Sequence, residues 1–322
     1  MRVTRNMIDP ELRIPGLIGK ALFRPSLRFF RFMHGMTRRS TGQNLGGLDC
    51  DERRIPSIDG GPEVRVRIYR PLTRTDSQAL PGVLFLHGGG YALGNPEMAG
   101  STYELMMRTR ACVIVAPDYR KSFDAPYPAA VNDCYAALMW MKENCAALGV
   151  RDDQLIVIGQ SAGGGLTAAV ALMARDRGEV RIAFQMPLYP MIDDRNSTES
   201  ARDNNAPIWN ARHNRLGWDL YLGDLAGRDD IPKYAAPARE TDYADLPPTA
   251  TFVGELDPFR DETIQYVDQL RAAGVPVEFR RYEGCFHGFE TIRPNAGKSR
   301  DANAFMAEQF AAAVDDCFAK QP

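Results

Sequence analysis

No apolar run in the sequence approaches the ~20 residues that a membrane-spanning helix requires, so no such span is expected. The N-terminus shows no short apolar core followed by a small-residue cleavage site, so no secretory leader is expected either. HExxH and CxxC are absent, and the four histidines (His34, His87, His213 and His287) do not cluster, which argues against a metal site. Neither sign of charge dominates: a net charge of −2 over 322 residues gives no case for nucleic-acid binding. The six cysteines (Cys50, Cys112, Cys134, Cys145, Cys285 and Cys317) have no paired spacing. They read as buried free thiols of a reducing compartment, and the expected location is cytoplasmic. Internal repeats and low-complexity stretches are missing as well.

What is present is organised around residues 155–165. Leu155-Ile156-Val157-Ile158 is an aliphatic run of the kind that forms a buried strand. Gly159-Gln160-Ser161-Ala162-Gly163-Gly164-Gly165 then breaks it with small residues around one serine, and a helix-forming run follows from Leu166 to Met173. Strand, abrupt Gly-x-Ser-x-Gly turn and helix together read as a nucleophile elbow. A phosphate loop is the competing reading, but the Gly-Lys-Ser/Thr ending and the GxGxxG spacing are both lacking.

The rest of the chain alternates. Val64–Arg70 alternates apolar and basic residues as a strand does, Pro71 ends it, and a polar loop follows. Further strands are expected at 82–86, 111–116, 181–189, 249–256 and 275–282, with helices at about 129–147, 260–273 and 300–318. Short apolar strands separated by helices predict an α/β fold, a mostly parallel central sheet with helices on both faces. Residues 191–245 break the pattern: they are polar, with Trp209, Trp218 and Tyr221 interspersed, and are expected to form a helical insertion. The predicted division is an N-terminal helical cap segment at 1–55, a catalytic unit at 56–190 and 246–322, and a cap insertion at 191–245.

In such sheets functional groups collect at the carboxyl ends of the strands. His87-Gly88-Gly89-Gly90, Ser161, Asp257 and His287 are all predicted to sit there. A serine hydroxyl needs a base that titrates near neutrality, and His287 fits better than His34, His87 or His213. A carboxylate must hold that imidazole. Asp257 follows a strand, in the chain order Ser…Asp…His, with Glu255 and Asp261 as rivals. The backbone N–H groups of Gly88, Gly89, Gly90 and Ala162 are the candidates for an oxyanion hole. Tyr91, Gln160, Trp209 and Phe286 are the candidate substrate contacts, and no metal ligand is assigned.

The pair His87-Gly88-Gly89-Gly90 and Gly159-Gln160-Ser161-Ala162-Gly163-Gly164 resembles the hormone-sensitive-lipase-like branch of the α/β-hydrolases. Tyr119-Arg120 through Pro126–Asp133, Asp257-Pro258-Phe259-Arg260-Asp261-Glu262 and His287-Gly288-Phe289 extend the resemblance over roughly residues 62–292. It implies the α/β-hydrolase fold and a carboxylesterase without cofactor, acting through an acyl-serine on small-molecule esters. It also implies nucleophile, acid and base roles for Ser161, Asp257 and His287. Two departures stand out. Gln160 replaces the acid usual before the serine, and Lys121-Ser122-Phe123-Asp124 replaces the usual Leu-Ala-Pro-Glu.

An amidase or deacetylase would use the same groups, so that reading stays open. A ligand-binding receptor on this scaffold would lack the histidine that is present here as His287. A homodimer is compatible with the sequence. Residues 1–40 carry nine Arg/Lys against two acids, with apolar residues at partly helical spacing cut by Pro10, Pro15 and Pro25. This segment is expected to fold back as a lid. Contact with an anionic membrane is the less favoured reading, and a lipase acting on aggregated lipid less favoured still. Membrane contact would require the apolar face of the segment to remain free in the folded protein.

Overall fold

The aliphatic runs that form the strands are buried on both faces, because their alternate residues enter two different cores. In a computed structural model, which describes residues 1–72 and 79–322, the strands are β1 Leu48–Ile55, β2 Val64–Pro71, β3 Leu80–Leu86, β4 Val113–Pro117, β5 Val150–Gln160, β6 Phe184–Leu188, β7 Thr249–Gly254 and β8 Val277–Tyr282. Leu84, Leu86, Val113, Val115, Leu155 and Val157 join one core. Val83, Phe85, Ile114, Ala116, Ile156 and Ile158 join the other. This two-residue alternation is the pleat of a strand covered on both sides.

The strands form one sheet in the order β1-β2-β4-β3-β5-β6-β7-β8. β3 through β8 are parallel, and β2 lies antiparallel to both β1 and β4. One face is covered by α4 Ala129–Glu143, α6 Ala162–Arg177 and α8 Arg260–Ala272, and the other by α3 Gly100–Thr109 and α10 Gly297–Asp316. The N-terminal helices are α1 Arg13–Leu22 and α2 Leu27–Arg39. The insertion contains α7 Ala211–Leu222, and two short helices, α5 Cys145–Leu148 and α9 Phe289–Ile292, complete the set.

Several elements differ from the sequence reading. Residues 48–55, placed in the N-terminal helical segment, form an edge strand in register from Leu48 opposite Pro71 to Ile55 opposite Val64. Its polar run gives no period-two signal. What holds it is charge across the ladder: Glu52 lies opposite Arg67 and accepts from Arg65 Nε at 2.9 Å, while Arg65 also pairs with the buried Glu97. The helix expected over 129–147 is interrupted at Asn144, whose side-chain amide donates to the Trp140 carbonyl at 2.8 Å. The strands expected at 181–189 and 275–282 are shorter, starting at Phe184 and Val277. The cysteines are all free, but Cys50 and Cys317 are only half-buried. The polar loop expected after Pro71 falls mostly at 73–78, outside the described residues.

Candidate active site

The parallel strands deliver four loops to one edge. β3 runs into His87-Gly88-Gly89-Gly90, β5 into Ser161, β7 into Asp257 and β8 into His287. Ser161 takes φ 58°, ψ −120° between β5 and α6, a conformation that an L-residue adopts only when its surroundings impose it. They do so here from both sides. The Ser161 N–H donates to the Leu188 carbonyl at 3.0 Å, and the Ser161 carbonyl accepts from Gly165 at 2.9 Å and Met191 at 3.0 Å. The flanking glycine is a steric necessity: a Cβ on Gly163 would lie 1.9 Å from the Leu86 carbonyl oxygen.

The three side chains expected to act together meet. His287 Nε2 is 2.8 Å from Ser161 Oγ, and His287 Nδ1 is 2.8 Å from Asp257 Oδ2. All three are buried. The Phe259 N–H donates to Asp257 Oδ1 at 2.9 Å. Tyr189 and Phe259 stand edge-on to the His287 ring, each with a centroid separation of 5.1 Å. The two rival carboxylates are engaged elsewhere. Asp261 accepts from Ser200 N–H and pairs with Arg260, both at 2.7 Å, and Glu255 pairs with Arg281 at 3.4 Å.

The other histidines stand apart from this relay. His87 Nδ1 is 2.8 Å from the Gly88 carbonyl, and its ring stacks on Tyr119 at 4.3 Å. Burial, with Lys121 nearby, lowers its pKa to about 3, so the ring is neutral and its Nδ1–H can fix the glycine loop. His213 stacks on Trp209 at 5.4 Å, and burial lowers its pKa to about 4. His34 approaches the Ala92 carbonyl at 3.2 Å.

The glycine loop lies against the elbow. A Cβ on Gly88 would be 3.3 Å from Ser161 Cβ. Gly89 adopts φ 127° and passes so close to Leu93 that a Cβ would meet the Leu93 carbonyl oxygen at 2.2 Å. Among the described residues, no protein acceptor takes the N–H of Gly89, Gly90 or Ala162. Free backbone donors beside a buried serine suit a developing oxyanion.

The expected substrate contacts fare differently. Trp209 packs on Gly90 and lies 6.2 Å from the His287 ring. Gln160 is half-buried, and its amide nitrogen has no protein acceptor among the described residues. Tyr91 is consumed by the scaffold. Its hydroxyl donates to the Met191 carbonyl at 2.7 Å and its ring stacks on Tyr221 at 3.9 Å. Phe286 is fully buried beneath α1, against Gly16.

Some partners were not legible from sequence. The Tyr189 hydroxyl donates to Glu290, whose carboxyl is pushed up by burial. Glu262 accepts from the Ile192 and Asp193 N–H groups at 2.8 and 3.3 Å, and burial raises its pKa well above the usual carboxylate range. It thereby ties the start of the insertion to α8. A lone glutamate in an amphipathic helix carries no sequence signal for either role. Among the described residues no three His, Cys, Asp or Glu side chains are grouped as a metal would require.

Comparison with known proteins agrees with this geometry. Residues 83–291 match a family model described as alpha/beta hydrolase fold. Esterase LipI of Mycobacterium tuberculosis is 36% identical over 236 residues, covering 72% of this chain and 73% of that protein. Among solved structures, a bacterial heroin esterase superposes with a TM-score of 0.87 at 33% identity, covering 97% of this chain and 99% of that one. Esterase LipW from Mycobacterium marinum gives 0.83 at 30% identity, with 96% and 97% covered. The matched span, these relatives and the order of the motifs place the chain in the hormone-sensitive-lipase-like branch of the α/β-hydrolase fold family.

Proposed function

We propose that the protein is a serine carboxylic-ester hydrolase, with Ser161 as nucleophile, His287 as base and Asp257 as the acid that holds it. The observation that carries this reading is the continuous relay of two 2.8 Å contacts from Ser161 through His287 to Asp257. The named relatives, an esterase from M. tuberculosis and a heroin esterase among them, support the substrate class.

The chemistry follows from the contacts. Ser161 Oγ attacks the ester carbonyl while His287 Nε2 takes its proton. The carbonyl π pair moves onto oxygen, which the N–H groups of Gly89, Gly90 and Ala162 receive; one such donor typically contributes about 2.7–4 kcal/mol. His287 returns the proton to the leaving alkoxide as the C–O bond breaks. Water then repeats the sequence on the acyl-serine and releases the acid. Asp257 holds the ring through Nδ1 and stabilises the imidazolium.

The cap belongs to this reading. The N-terminal helices and residues 191–245 shape the acyl and alcohol pockets: Gly16 of α1 packs on Phe286 and Pro207, Gly19 packs on Ile208, and Phe23 borders His213 at 5.9 Å. A separate cleft of about 690 Å³ between the two segments is lined by Lys20, Phe23, Asn205 and Leu216 and by none of the triad residues. Short- to medium-chain acyl groups are the proposed substrates, and the six free thiols suit a reducing, cytoplasmic setting.

A panel of p-nitrophenyl esters from acetyl to palmitoyl, run beside the matched acetyl anilide, tests the proposal. The expected result is turnover that peaks among the shorter chains and exceeds anilide turnover. Faster anilide cleavage would assign the site to amides, and no turnover of either would contradict the proposal.

A further inference from the structure

The N-terminal helices wear their apolar residues on the wrong side for a lid alone. At 3.6 residues per turn, Leu12, Gly16 and Gly19 fall on one face of α1 and Ile14, Leu17, Ile18 and Leu22 on the opposite face. The first face is pressed onto the body: Leu12 is fully buried, and Gly16 and Gly19 let the helix approach Phe286 and Ile208. The second face is open, with Ile14 69%, Ile18 55% and Leu22 66% exposed. α2 repeats the arrangement. Phe30 is buried beneath it, while Phe32 and Met36, one turn apart, point outward. Seven of the thirteen large apolar side chains exposed among the described residues fall between positions 14 and 36. The free apolar face that membrane contact requires is therefore present.

The charge that the two helices carry has one sign. No acid occurs between Glu11 and Asp49, whereas Arg13, Lys20, Arg24, Arg28, Arg31, Arg38 and Arg39 do. All but Arg13 are exposed, and among the described residues only Arg38 of the seven is ion-paired, with Asp124 at 3.5 Å. This sits on a protein whose net charge is −2. From these observations we propose that the outer face of α1 and α2 docks on an anionic phospholipid bilayer. The apolar residues enter the headgroup–acyl boundary and the flanking cations meet the lipid phosphates. A second copy of the chain fits poorly, because a two-fold contact through this face would set two cation-rich helix pairs, with no acid of their own from Arg13 to Arg39, against each other. Docking here would hold the cap at the lipid surface, with Phe286, next in sequence to His287, packed beneath α1.

The inference does not depend on the ester-hydrolase reading and is tested by binding. The full chain would be sedimented with vesicles of phosphatidylglycerol and phosphatidylcholine in equal parts, and with phosphatidylcholine vesicles alone. Salt would be set at about 0.1 M and again at about 0.5 M, where screening is strong. Binding to the anionic vesicles, weakened by salt and weak on the neutral ones, is expected. The double variant Ile18→Asp/Phe32→Asp should lower the partition coefficient roughly tenfold or more, and Arg24→Gln/Arg28→Gln should reduce both binding and its salt dependence. Each variant should keep the wild-type thermal midpoint and its p-nitrophenyl acetate turnover, since these side chains face solvent. Failure of the wild type to sediment with anionic vesicles would overturn the proposal, as would wild-type binding by the Asp variant. A wild-type dimer that the Asp variant breaks would assign the face to a second copy instead.

Discussion

Phe259 donates its backbone N–H to one oxygen of Asp257, Oδ1, at 2.9 Å, and leaves the other, Oδ2, to His287 Nδ1 at 2.8 Å. The two oxygens therefore have distinct duties, and an asparagine could not fill both. In Asp257→Asn, the Phe259 N–H would take the amide oxygen and turn the amide NH2 toward His287. That favours the imidazole tautomer with its proton on Nε2, which cannot accept from Ser161. The expected outcome is a fall in kcat on the order of 10³–10⁴ with little change in KM. Steady-state kinetics on p-nitrophenyl butyrate, with a thermal melt as control, would check it.

Asp261 provides the contrast. Its carboxylate is spent on Ser200 and Arg260, joining the insertion to the start of α8. Asp261→Asn is expected to lower stability by about 1 kcal/mol and to leave most of kcat. A loss of kcat as large as that of Asp257→Asn, with the fold intact, would reverse the assignment of the acid.

The glycine loop can be tested without touching the triad. Gly89→Ala places a methyl group on the Leu93 carbonyl at a backbone angle that L-residues rarely adopt. The loop must shift, and its N–H groups with it. A drop in kcat of about 10²-fold or more is expected, at a stability cost of about 1–3 kcal/mol. Circular dichroism and denaturant melts would separate the two effects.

The buried histidines set an acid limit on stability. His213 and His87 are lowered by burial from 6.5 to about 4 and about 3. Below pH 6.5 the unfolded chain takes up a proton at each site, and the folded chain does not until its own lower value is reached. Stability contributed by these two residues is therefore full above pH 6.5 and is lost as pH falls toward 4. His213→Phe, which keeps a ring between Trp209 and Phe30, removes one of the two contributions. Its thermal midpoint should decline less than that of the wild type between pH 7 and 4.5. Parallel declines would contradict the argument.

The parts of this molecule that follow from local pattern were legible in the sequence. The aliphatic strands could be read because burial on both faces demands runs such as Leu155–Ile158, and the elbow because a turn that tight admits no side chain at Gly159 or Gly163. β1 was not legible. Its Glu52 is held by Arg65 and Arg67 of β2, and those guanidinium groups are fixed in turn by the distant Glu97. The roles of Glu262, Glu290 and Tyr189 were hidden for the same reason, since each depends on a partner brought close only by folding. Tyr91 shows the converse. It is a candidate substrate contact by sequence, and only the packing shows its hydroxyl donating to Met191 and its ring stacked on Tyr221.

The central claim is that Ser161 is the group that takes the acyl chain. Ser161→Ala, purified and shown by melting to be folded, should turn over p-nitrophenyl butyrate at least about 10³-fold more slowly than the wild type. A folded Ser161→Ala protein with near wild-type turnover would contradict the account.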